Sequence, residues 1–65
     1  MDVKNDLKLY FHLNDTERRI VRTAARMGDT PGSRLVFELY FPTLPPERLR
    51  ILRREIGALK DIDSL

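Results

Sequence analysis

Two segments of the sequence alternate strictly between apolar and polar side chains, and a chain this short has to be built around them. From residue 7 to residue 13, Leu7, Leu9, Phe11 and Leu13 fall on one side, with Lys8, Tyr10 and His12 on the other. From residue 34 to residue 41, Leu35, Phe37, Leu39 and Phe41 share a face opposite Arg34, Val36, Glu38 and Tyr40. A period of two is that of a strand buried on one face. Both segments are therefore predicted as β-strands, the second stopped by Pro42, Pro45 and Pro46, which cannot donate to a ladder.

The period changes between and after these segments. Asn14 and Glu17 have the spacing of a capping box. Ile20, Val21, Ala24 and Met27 lie on one helical face, and Gly28 suits the left-handed position after a helix C-terminus. These features predict a helix over about 15–27. Pro46 at a first helical position and Glu47 in the first turn open a second helix over about 46–60, with Leu49, Leu52, Ile56 and Leu59 as its apolar stripe. Gly57 costs that helix about 1 kcal/mol relative to Ala, which predicts an early end or a close approach to a neighbour.

The predicted order is β-α-β-α in a single domain, 1–65, of α+β class: a two-layer unit of two parallel strands with both helices on one sheet face. A two-stranded sheet leaves its edges unpaired. At 65 residues without cysteine, the chain has a small core and no disulfide to reinforce it. A second copy is thus the expected partner, completing a four-stranded sheet in a homodimer. A helix-turn-helix is the rival, because Ala24 and Gly28 stand four apart and Thr30-Pro31 can open a helix. Against it, Asp29 and Arg34 occupy places where that motif packs apolar residues, and 34–41 carries the strand pattern.

For function, several classes drop out. The chain is 42% hydrophobic and 34% charged, too apolar for disorder. No apolar run approaches the roughly 20 residues of a membrane span, and the start of the chain is too acidic and polar for a signal peptide; a cytoplasmic protein with no membrane partner is expected. With one histidine and no cysteine, neither a closed zinc site nor a thiol nucleophile is expected. His12 lacks an obvious orienting partner, so no enzyme and no cofactor are predicted. The stretch from Gly28 to Ser33 resembles a phosphate loop only in its glycines: it lacks the lysine, contains Pro31, and follows a helix rather than a strand.

What remains is arginine. Nine Arg stand against three Lys. Arg18, Arg22 and Arg26 form a file at i, i+4, i+8 on the first predicted helix, and Arg50, Arg53 and Arg54 crowd the second. Most nearby acids sit in first helical turns, where they serve the helix dipole. Such surfaces suit phosphate contacts. The expected function is a non-enzymatic binding module whose six arginines contact nucleic acid or an acidic protein. Tyr10, His12 and Tyr40, on the sheet face left uncovered by helices, are candidates for base stacking or self-association. The alternative is a structural protein, natural or designed, with no ligand, which the cap or breaker at nearly every boundary would suit.

Overall fold

The computed structural model describes residues 3–59 and folds them as four helices: α1 Val3–Phe11, α2 Asp15–Arg26, α3 Pro31–Tyr40 and α4 Pro46–Ala58. There is no strand among the described residues. The expected α+β unit is therefore replaced by an all-helical one, and the segments predicted as strands over 7–13 and 34–41 are largely α1 and α3.

The reason lies in which positions a helix shares with a strand. Residues 37 and 41 are related by both periods, since they are two pleats or about one helical turn apart. Phe37 and Phe41 are buried, with ring centroids 5.7 Å apart, and Ser33 is buried one turn earlier. Leu35 and Leu39, which a strand would have buried beside them, are 67% and 75% exposed. Likewise Asp6 and Tyr10, four apart on α1, are buried, while Leu9 and Phe11 are exposed. Lys, Leu and Glu are good helix formers, and an N-terminal cap settles the choice for α3. Thr30 is extended, its Oγ1 accepts from the Ser33 N–H at 3.1 Å, and Pro31 supplies a ready-made first helical φ.

The other ends follow the same chemistry. Asn14 Oδ1 accepts from the Glu17 N–H at 2.8 Å, and Glu17 Oε1 accepts from the Asn14 N–H at 3.1 Å, a complete capping box for α2. Beyond its last turn, Gly28 takes φ 79°, the left-handed conformation that reverses the chain. Only four residues, 27–30, separate α2 from α3, so the helix-turn-helix order set aside above is the one that forms.

α4 packs against each of the other three helices, and α2 packs against α3. Val21, Ala24 and Ala25 of α2, Phe37 of α3 and Leu49, Leu52 and Ile56 of α4 meet with Tyr10 and Phe41 in one core. Ile20 and Met27, expected on the buried face of α2, are 42% and 56% exposed because Ala25 takes their place against α4. Gly57 lies at this contact, but the contact does not require a glycine: a Cβ there would stand 3.6 Å from the Ala25 carbonyl oxygen, an ordinary van der Waals distance. The four-stranded sheet that a second copy was to complete has no counterpart, since these residues present no sheet edges.

Candidate polyanion-binding site

Asp29 sits directly after the positive-φ Gly28 and directly before the cap Thr30, so the turn between α2 and α3 carries its carboxylate outward. Arg34, at the fourth position of α3, folds back on it: Nε donates to Oδ1 at 2.7 Å and Nη2 to Oδ2 at 3.3 Å. These are the positions, one before the cap and four after it, where an apolar pair often staples a helix start. Here an ion pair fills the role. From α4, Arg53 brings a second guanidinium to 3.4 Å of the same Oδ1. The Arg34 hydrogen bond, supported by the charges of Arg34, Arg53 and Arg50 against a partial loss of solvent, holds the Asp29 carboxyl below its ordinary range. Asp29 is an anion at neutral pH.

Two grooves flank this pair. One, of about 290 Å³, has Phe37, Pro46 and Leu49 in its lining and Arg34, Arg50, Arg53 and Glu38 as its charged groups. The other, of about 370 Å³, lies over Ala25 and Gly57 and is lined by Arg50, Arg53 and Arg54. Asp29, Arg50 and Arg53 belong to both. Four guanidiniums thus face two carboxylates along a surface that runs from α3 across α4. Both volumes lie near the low end of small-molecule pockets. No group of three or more His, Cys, Asp or Glu that could hold a metal occurs among the described residues.

Of the six arginines named from the sequence, the fold brings Arg50, Arg53 and Arg54 together here. Arg18 serves the backbone instead: its Nη1 donates to the Leu13 carbonyl at 2.7 Å and the Phe11 carbonyl at 3.2 Å, and Nη2 pairs with Asp15. It closes the end of α1. Arg22 is half-buried and Arg26 exposed on α2, and neither lines these two grooves.

The uncovered sheet face does not exist, and its three candidates separate. Tyr10 is a core residue 2% exposed, His12 is exposed just beyond α1, and Tyr40 is half-buried against the core at the end of α3.

Sequence reasoning missed the pairing of Asp29 with Arg34, treating both as evidence against a helix. The signal was present: once Thr30-Pro31 is taken as a helix start, residues 29 and 34 must meet. It also missed Asp6 and Arg48, which pair across 42 residues with Arg48 Nε donating to Asp6 Oδ2 at 3.1 Å and Nη2 pairing with Oδ1. No local spacing announces that contact.

No helix among the described residues is long and apolar enough to cross a membrane. No protein-family model matches the chain, and no curated protein or solved structure is significantly similar to it.

Proposed function

We propose that this chain is a small non-catalytic module of the cytoplasm that holds the phosphate backbone of a nucleic acid on the surface formed by Arg34, Arg50, Arg53 and Arg54. The observation that carries this reading is the convergence of four guanidiniums from two helices on one pair of connected grooves. Guanidinium groups bind phosphate oxygens in pairs and remain charged at any physiological pH.

Recognition by this surface is of charge rather than sequence. Base edges are read by donors and acceptors projecting from an element set in a groove. The outward side of α3, which would be that element in a helix-turn-helix reader, instead presents Leu35 and Leu39. Its one arginine, Arg34, is engaged with Asp29.

Titration of fluorescein-labelled single-stranded and duplex oligonucleotides of unrelated sequence tests the proposal. The protein should bind at ~50 mM salt and lose affinity steeply by ~200 mM, with little difference between sequences. Replacing Arg50 and Arg54 together by Ala should lower the slope of log K against log salt by about 1.4 for single strands and about 1.8 for duplex. Arg19→Ala, on an exposed side of α2 lining neither groove, should change affinity less than Arg50→Ala or Arg54→Ala made singly. Absence of binding at ~50 mM salt overturns the proposal.

A further inference from the structure

The basic surface has a carboxylate seated at its centre. Arg34 engages both oxygens of Asp29 through Nε and Nη2, the two-point arrangement a guanidinium also makes with two oxygens of a phosphate. Arg53 approaches the same oxygen from the opposite helix. A group held by two cations from two elements occupies the place where an anionic ligand would gain most.

Building on the proposed function, we infer that Asp29 is an internal stand-in for a backbone phosphate of nucleic acid. It fills the Arg34–Arg53 seat in the free protein and leaves when a phosphate of the bound polymer takes its place. Three observations carry this. Asp29 lines both grooves together with Arg50 and Arg53, so a phosphate chain passing from one groove to the other crosses it. The side chains of Arg34 and Asp29 are 61% and 43% exposed, so their pairing is open to solvent, weakened by salt and readily exchanged. The carboxylate also belongs to the four-residue turn 27–30 and not to the core. Nothing covalent is involved; one ion pair is exchanged for another.

The seat then acts as a selector. An isolated anion must displace Asp29 with one contact, whereas a polymer already held by Arg50 and Arg54 displaces it locally. Long polyanions are favoured over single phosphates.

Two variants that each remove one negative charge from the same groove separate this from general electrostatics. Glu38 lines the Arg34 side of the surface without a bond to the seat, so Glu38→Gln should tighten binding of a single-stranded oligonucleotide by less than about twofold. Asp29→Asn should tighten it by about five- to tenfold, because no carboxylate has to be displaced from Arg34 and Arg53 before the phosphate is seated. Arg34→Ala should abolish most of that gain in the Asp29→Asn background, and it should also weaken binding by the otherwise unaltered protein, because the seat is left with Arg53 alone. The unaltered protein provides an independent readout: the Arg34 Nε–H resonance should shift when the oligonucleotide is added, as its acceptor changes from carboxylate to phosphate. Equal gains in Asp29→Asn and Glu38→Gln, with an unmoved Arg34 resonance, overturn the stand-in and leave the proposed function in place. Absence of binding by both the unaltered protein and Asp29→Asn at ~50 mM salt overturns both.

Discussion

Ser33 shows how a single side chain can work against the helix it helps to start. Its backbone N–H satisfies the Thr30 cap, yet its hydroxyl is fully buried and makes no hydrogen bond. A buried hydroxyl without a partner costs roughly 1–3 kcal/mol. Ser33→Ala keeps the backbone bond and removes the orphan, and it should raise stability by about 1 kcal/mol, or about 5 °C in the melting midpoint of a chain this size. A circular-dichroism melt that falls instead would mean the hydroxyl has a partner after all. Single residues were also the most legible scale in the sequence. Asn14 with Glu17, Gly28 past a helix end and Pro46 at a first turn each announce themselves through a fixed local spacing, and each stands where that spacing puts it. Thr30-Pro31 carries equal information, but the alternation that follows it outweighed the cap.

At the scale of the element, α1 and α3 separate pattern from structure. An alternating run of seven or eight residues contains the i, i+4 pairs of a helix within it, so periodicity over so short a window fits both. Burial tells them apart: a strand at 34–41 would make Phe37 and Leu39 equivalent, whereas α3 buries Phe37 at 1% exposure and leaves Leu39 at 75%. Leu39→Ala should therefore change stability by no more than about 0.5 kcal/mol, and Phe37→Ala should lose about 3–5 kcal/mol. The latter is enough to unfold a small domain outright. Phe37→Leu, which keeps most of the volume and should lose no more than about 1.5 kcal/mol, retains a measurable urea transition. A loss of about 2–5 kcal/mol for Leu39→Ala, that of truncating a buried leucine, would restore the strand. The same distinction explains the candidate site. Arg50, Arg53 and Arg54 were legible because they sit on a helix predicted from its own stripe, whereas Arg34 was assigned to a strand face and its partner was lost with it.

For the molecule as a whole, the least legible contact is the one that holds its first helix. α1 packs chiefly on α4, and Asp6, its side chain 4% exposed, is paired there with Arg48, whose side chain is 36% exposed. Forty-two residues separate them, and only the assembled fold brings them together. The unequal exposure makes the two halves of the pair inequivalent. If Asp6 is replaced by Asn, the long Arg48 side chain can carry its charge into water along its apolar stem, so the loss should be about 1 kcal/mol. Arg48→Ala instead leaves a carboxylate buried with its counter-charge removed, the arrangement that makes broken buried pairs expensive, and should lose about 2–4 kcal/mol. Because α1 is attached mainly through α4, the loss should appear first as local opening. In hydrogen exchange followed by NMR, the amides of α1 should lose protection in Arg48→Ala before those of α2 and α3. Replacing both partners by apolar residues of similar size, Asp6→Leu with Arg48→Met, removes the stranded charge and should recover most of the protection. Equal losses for Asp6→Asn and Arg48→Ala, spread evenly over all four helices, would show that the pair adds only surface charge and that α1 is held by its apolar contacts alone.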